Sequence, residues 1–219
     1  MVAGKSFVII DYGMGNLRSV SNALRFLGCD AVISNRVEDI SKADALVLPG
    51  VGAFEEAMNN LTGLGLVAIL KQKVMEEKKP LLGICLGMQL LAGSSQENGL
   101  HQGLGFIEGN VIRIPVDKSL PLPHVGWNNI EVMKSEPLFR KIGKDTNFYF
   151  VHSYCLDCDD AIVSSYCDYG VRIVASIQKD NILATQFHPE KSQTNGLRLL
   201  RGFTDIVYGK TPVEEKKYA

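Results

Sequence analysis

Three stretches of the chain carry residues that can act together on a carbonyl. The first is Gly83-Ile-Cys-Leu-Gly87, in which Cys85 stands between two glycines. That spacing is a nucleophile elbow written with cysteine: the central residue takes a strained strand-to-helix turn, and the glycines keep free the space where Cβ atoms would collide. At such a turn the helix N-terminus and nearby backbone N–H groups favour a thiolate. The second stretch is His188-Pro-Glu190. Residues two apart in an extended segment point the same way, so the carboxylate can hold the imidazole tautomer and stabilise its protonated form. The third is Pro49-Gly-Val-Gly52, at the end of an apolar run. Its glycines leave backbone N–H groups accessible, so this loop can supply one oxyanion donor and the N–H of Leu86 the other.

Each stretch has a plainer reading by itself. Cysteine is often buried between a strand and a helix, His-Pro-Glu suits a surface turn, and Pro-Gly-Val-Gly suits an ordinary strand-to-helix loop. Taken together they read as a Cys85–His188–Glu190 triad with an oxyanion loop. Such a set supports thiolate attack on a carbonyl and hydrolysis of the resulting acyl-enzyme. The chain order of nucleophile, histidine, acid differs from the Ser, Asp, His order of α/β-hydrolases. The triad does not name its substrate.

Positioning these residues requires strands that end at one place. Phe7 to Tyr12, Ala31 to Ser34, Ala45 to Leu48 and the run into Cys85 read as strands, and Leu17 to Leu27, Phe54 to Leu61 and Leu64 to Glu77 as the helices between them. Asn16 is expected to cap the first helix and Gly28 to close it. The charged run from Lys71 to Lys79 reads as a solvated helix face. Strands alternating with helices give a doubly wound, mostly parallel sheet flanked by helices, with its site at the carboxyl ends of the strands. Beyond Ser94 short strands predominate, down to a hairpin-like pair around Lys179-Asp-Asn181, so an antiparallel extension or a small second sheet is expected. The last helix, Thr194 to Tyr208, carries Leu197, Leu200, Phe203 and Val207 as an apolar stripe. Residues 210–219 read as a frayed tail.

A chain of 219 residues with 46% hydrophobic content and a net charge of −1 fits one domain, 1–219, and excludes a strongly basic nucleic-acid binder. No apolar run reaches the roughly 18–20 residues a bilayer crossing needs, and the amino terminus lacks a signal-peptide core, so a cytoplasmic location is expected. Five cysteines then read as free thiols. Cys155-Leu-Asp-Cys158 has metal or redox spacing but lies between strand-like segments, and we expect it to be incidental. Gly13-Met-Gly15 lacks the third glycine of a dinucleotide fingerprint. No cofactor and no metal are expected.

Gly83-Ile-Cys-Leu-Gly-Met-Gln89, Pro49-Gly-Val-Gly52 and Gln186-Phe-His-Pro-Glu-Lys-Ser192 together resemble the class I (triad) glutamine amidotransferases. Asp11-Tyr-Gly-Met-Gly-Asn16, Pro123-His-Val-Gly-Trp-Asn128 and Val151-His-Ser-Tyr154 bring the resemblance closer to the glutaminase subunits of imidazole glycerol phosphate synthases, over about residues 7 to 208. The departures are Cys155, where another aromatic is frequent, and Ala92-Gly-Ser-Ser-Gln96, in place of a more acidic stretch.

The resemblance implies a glutamine substrate, a γ-glutamyl thioester on Cys85 and release of ammonia. It places Val51, Gly52 and Leu86 at the oxyanion, and Gly50, Gln89, His152, Ser153 and Tyr154 around the glutamine. It implies a heterodimer with a (β/α)₈-barrel cyclase subunit, with Asn16, Arg18, Trp127 and Asn128 at the interface. The cyclase would turn ammonia and a ribonucleotide into imidazole glycerol phosphate and an aminoimidazole carboxamide ribotide. It also implies that the Gly50–Val51 peptide turns when the partner binds its ligand, giving weak activity alone and strong activation in the complex. Other readings are a paralogous amidotransferase feeding another synthase, for instance in surface-sugar amidination, an inactive regulatory subunit, and a stand-alone thiol hydrolase.

Overall fold

In the computed structural model, which describes residues 5–143 and 146–209, strands and helices alternate through the first half of the chain. They are β1 (Ser6–Ile10), α1 (Leu17–Phe26), β2 (Asp30–Ser34), α2 (Val37–Lys42), β3 (Ala45–Gly50), α3 (Phe54–Gly63), α4 (Leu66–Lys71), β4 (Leu81–Cys85) and α5 (Leu86–Gln89). The second half holds β5 (Ser94–Ser95), β6 (His101–Gln102), β7 (Asn110–Arg113), β8 (His124–Val132), β9 (Asn147–His152), β10 (Tyr154–Asp157), β11 (Val163–Asp168), β12 (Arg172–Lys179), β13 (Ile182–Thr185) and α6 (Gln193–Val207). The tail expected at 210–219 lies outside the described residues.

Nine strands form one sheet in the order β2-β1-β3-β4-β13-β12-β11-β8-β9. The first five are parallel, and the pairings from β13 onward are antiparallel. A second, four-stranded sheet runs β10-β7-β5-β6. The fold is therefore α/β with an antiparallel extension, and the second half supplies both of the arrangements expected for it.

Period-two alternation gives the sheet two buried faces. Phe7 and Ile9 of β1, with Val47, Leu82 and Ile84, pack on Val20 and Leu24 of α1 and on Leu199, Leu200 and Phe203 of α6. Val8 and Ile10, with Leu46, Leu48 and Leu81, pack on Ile40, Phe54, Leu61, Leu66 and Leu70 of α2, α3 and α4. Each such side chain contributes roughly 1.5–3 kcal/mol by burial, so the parallel strands are held rigidly from both sides. That rigidity makes their carboxyl ends a firm platform.

Several local expectations change. Asn16 stands at the start of α1 but makes no side-chain capping bond. Lys73 is buried, not solvated, and donates to Glu77 Oε1 at 2.6 Å; a π turn, Gln72–Glu76, continues α4 and breaks the regular helical phase on which the expectation rests. The helix after the elbow is one turn long. The apolar stripe of α6 centres on Leu199, Leu200 and Phe203, while Leu197 and Val207 are half-buried.

Candidate active site

Cys85 ends β4 at φ 55°, ψ −111°. A non-glycine residue holds such a conformation only where its surroundings dictate it, and two glycines make room for it. A Cβ on Gly83 would come within 3.0 Å of Gly87 O, and one on Gly87 would lie 1.7 Å from Leu48 O. The second contact shows that the elbow is braced on the backbone of β3. Because α5 has only four residues, its dipole is that of a single turn.

The other two stretches arrive on the neighbouring strands. In the parallel register Gly50 of β3 lies beside Cys85, and Thr185 of β13 beside Ile84. From β13 the chain continues through Gln186 and Phe187 to His188. The His188 N–H donates to Tyr149 O at 2.9 Å, and Ser192 Oγ donates to His188 O at 2.6 Å, so the histidine backbone is fixed on both sides.

His188 Nδ1 and Glu190 Oε1 are 2.8 Å apart, and both side chains are almost wholly buried. Their approach does not come from an extended segment: Pro189–Lys191 is a 3₁₀ turn that folds the carboxylate back under the ring. Burial alone would push His188 down, but its interactions with Cys85 and Glu190 outweigh burial and hold it up at about 9. His188 Nε2 is buried and has no hydrogen-bond partner among the described residues. Cys85 Sγ lies 3.8 Å from Val151 O as donor and 3.8 Å from Gln186 Nε2 as acceptor.

A cavity opens over the sulfur. Val51, Gly52, Cys85, Leu86, Gln89, His152, Ser153 and Tyr154 line it, together with Glu97, Pro123 and Val151. Gly50 lies behind this lining, where a Cβ would meet Tyr12 Oη at 2.3 Å and Leu86 Cβ at 2.9 Å. Tyr12 Oη donates to Pro49 O at 2.8 Å, pinning the strand that leads into the loop. Burial, reinforced by Cys85, pushes the Tyr12 phenol well above its ordinary range, so it stays a neutral donor.

Three side chains of the lining are held by the protein itself, the first being Glu97, whose Oε2 accepts from the Phe54 N–H at 2.7 Å. Gln89 Nε2 donates to Tyr154 O and to Gln186 Oε1, each at 3.0 Å. His152 Nδ1 lies 2.8 Å from Tyr154 O, and its Nε2 lies 3.1 Å from His124 Nδ1. Burial, with the nearby His124 and His188, brings His152 down to about 4, and burial lowers His124 as well. Both rings are therefore neutral at pH 7. The tautomers that satisfy the network put the protons on both Nδ1 atoms, with His152 donating to the carbonyl and His124 to His152.

Of the residues expected at an interface, Trp127 is 45% exposed on β8 and packs edge-on to Tyr149. Asn128 is half-buried, and its Nδ2 donates to Asp168 O at 2.9 Å. Arg18 is exposed and Asn16 half-buried; their turn abuts the end of β3, because a Cβ on Gly15 would lie 3.4 Å from Pro49 O. Motif and spacing give no role to Glu97, Tyr12, His124 or Gln186. Glu97 carries one available signal, a lone carboxylate shortly after the elbow; the other three depend on contacts across the sheet. Cys155 and Cys158 are separate free thiols, pushed up by burial to about 11 and about 12.

An elbow cysteine, a buried His–Glu pair and a glycine loop on adjacent parallel strands match the motif set of triad amidotransferases. A model of the class-I glutamine amidotransferase family matches residues 8–206, and the chain belongs to that family. It is a glutamine amidotransferase. More particularly, it is 51% identical to imidazole glycerol phosphate synthase subunit HisH 1 of Campylobacter jejuni subsp. jejuni serotype O:23/36 (strain 81-176), over 90% of this chain and 98% of that one. It is 49% identical to subunit HisH of Aquifex aeolicus (strain VF5), over 90% of this chain and 94% of that one. Among solved structures, a putative GMP synthase subunit of Thermoplasma acidophilum shares the fold, with a TM-score of 0.73, 22% identity, and coverage of 95% of this chain and 96% of that one. Among the described residues no helix is long and apolar enough to cross a membrane.

Proposed function

We propose that this chain is the glutaminase subunit of an imidazole glycerol phosphate synthase, working in the cytoplasm in histidine biosynthesis as one amidotransferase domain, 1–219. The observation that carries the chemistry is the buried 2.8 Å bond between Glu190 and His188 Nδ1, which leaves Nε2 unpaired and free to serve Cys85.

In this reading the proton of Cys85 passes to His188 Nε2 and the sulfur attacks the carboxamide carbon of glutamine. Glu190 holds the ring and stabilises its imidazolium form. The tetrahedral oxyanion is held by the Leu86 N–H and the loop at Val51 and Gly52; a single such donor is worth about 10²–10³ in rate. As the intermediate collapses, His188 gives its proton to the leaving ammonia and a γ-glutamyl thioester remains on Cys85. Water, deprotonated by His188, then releases glutamate and restores the thiol. Gln89, His152, Ser153 and Tyr154 shape the pocket around the substrate, with Gly50 holding the strand behind it, and the Glu97 carboxylate offers a counter-charge for the substrate ammonium.

Ammonia freed into water becomes ammonium and loses its nucleophilicity, so it must pass to a partner before that happens. We assign this partner as a (β/α)₈-barrel cyclase that converts a ribonucleotide into imidazole glycerol phosphate and an aminoimidazole carboxamide ribotide. The exposed Trp127, with Asn16, Arg18 and Asn128, forms the contact. The Gly50–Val51 peptide turns on activation. The test is glutamate release from glutamine by the chain alone, then with the cyclase and its ribonucleotide, with Cys85→Ala as control. Release that depends on the cyclase and disappears in Cys85→Ala is expected. Activity only beside a different synthase would overturn the partner, and activity in Cys85→Ala would overturn the nucleophile.

A further inference from the structure

The side-chain amide of Gln186 has no part in the chemistry above, yet it is fully buried and lies against the reacting sulfur. It follows β13 directly, and its backbone N–H donates to Ala175 O at 2.8 Å, so its Cα is fixed by the sheet.

Which end of the amide meets the sulfur is settled by its neighbours. Gln89 Nε2 lies 3.0 Å from one terminal atom of Gln186. An amide NH₂ only donates, so that atom must be the oxygen, and the NH₂ of Gln186 is left for Cys85 Sγ at 3.8 Å. Gln89 is itself oriented by Tyr154 O at 3.0 Å, an acceptor shared with His152 Nδ1. His152 is held in turn by His124 at 3.1 Å. A flip of Gln186 would set two oxygens or two NH₂ groups against each other along this chain.

The other hydrogen-bond contact of the sulfur is Val151 O at 3.8 Å, an acceptor. That carbonyl suits the S–H form; once the proton moves to His188 it faces an anion with nothing to accept. We propose that Gln186 is a further catalytic residue: its Nε2–H donates to Cys85 Sγ and stabilises the attacking thiolate, while Gln89 is a positioning residue that keeps the amide from flipping. The proposal rests on Cys85 being the nucleophile, and it changes no bond beyond the transfer of the sulfur proton to His188.

The test is the pH dependence of iodoacetamide alkylation of Cys85 in the full chain, followed by mass spectrometry of the Cys85 peptide, with no glutamine or partner present. Gln186→Met keeps length and removes the donor. A hydrogen bond to a charged group is worth enough that alkylation at neutral pH slows about tenfold, with the midpoint of the profile moved to higher pH and the limiting rate at high pH retained. A packing role alone would change the rate at every pH and leave the midpoint in place, which would overturn the proposal. Should Gln186→Met fail to fold by circular dichroism, Gln89→Leu decides in the same sense: an upward shift supports the proposal and an unmoved midpoint overturns it. Glutamine turnover by Cys85→Ala is measured alongside. If that variant is dead while the midpoint stays put, only the role of Gln186 falls; if it is active, the nucleophile assignment falls.

Discussion

Gly87→Ala is the sharpest probe of how the site is built, because it adds one methyl group at a place where the obstacle is backbone. The new Cβ would lie 1.7 Å from Leu48 O and 2.7 Å from Leu48 C. Contacts below 3.0 Å are essentially never seen, so atom pairs must part by at least 1.3 Å, the difference between 1.7 and 3.0. Leu48 pairs with Gly83 in the parallel register and lies two residues before Gly50, which pairs with Cys85. Parting Gly87 from Leu48 therefore separates Cys85 from the loop proposed to serve the oxyanion. Overpacking a rigid interior costs about 1–3 kcal/mol, which lowers Tm by roughly 2–12 °C for a chain of this size. A misplacement of about 1 Å at a reacting centre costs on the order of 10²-fold in rate. The assay is glutamate release in the presence of the cyclase, paired with a thermal melt. Gly63→Ala is the control, since its Cβ would meet nothing within 4 Å; at the end of α3 it should leave the rate unchanged and Tm unchanged or slightly raised. Gly87→Ala with wild-type kcat and wild-type Tm would refute the bracing of the elbow on β3.

Two further outcomes follow from buried groups. An unfolded histidine takes up its proton near pH 6.5, whereas His152 does so only near 4; over that window the unfolded chain binds more protons, so stability is full above 6.5 and is lost as pH falls, by on the order of 3 kcal/mol. His188, held up at about 9, has the opposite sign, its contribution being complete below 6.5 and lost as pH rises toward 9; denaturant melts across pH check both limbs, and His152→Gln should flatten the acid one. Tyr12→Phe removes the 2.8 Å bond to Pro49 O and leaves that carbonyl without its partner, at a cost of about 1–2 kcal/mol. It also frees the strand before the Gly50–Val51 peptide, so the ratio of glutaminase rates with and without the cyclase should fall; an unchanged ratio would separate Tyr12 from activation.

The elbow is legible in the sequence because Gly83, Cys85 and Gly87 are local and each glycine answers a local steric demand. What Gly87 makes room for, the backbone of β3, is not, since it depends on strands that lie far apart in sequence. His188 and Glu190 pair on the assumption of extended backbone, and they do meet, but through a 3₁₀ turn that starts at Pro189. Spacing restricts who can meet without saying by what path. Gln186, Tyr12 and His124 stay silent because their partners lie 101, 37 and 28 residues away in the chain. A buried glutamine looks like any other until the register of the sheet sets it beside a thiol. Lys73 misleads for a related reason: a charge run reads as solvated unless a π turn disturbs the helical phase.

Cys85 leaves β4 and His188 follows β13, two parallel neighbours in one sheet. Strand separation, close to 4.8 Å in every sheet, thus sets the gauge on which Cys85 and His188 are mounted, and β9, within the long excursion from Leu86 to Asn181, adds a backbone clamp on His188 through Tyr149 O. Away from β9 and the residues that line the cavity, that excursion can gain or lose surface residues, or be recut to fit a different partner, without altering the gauge.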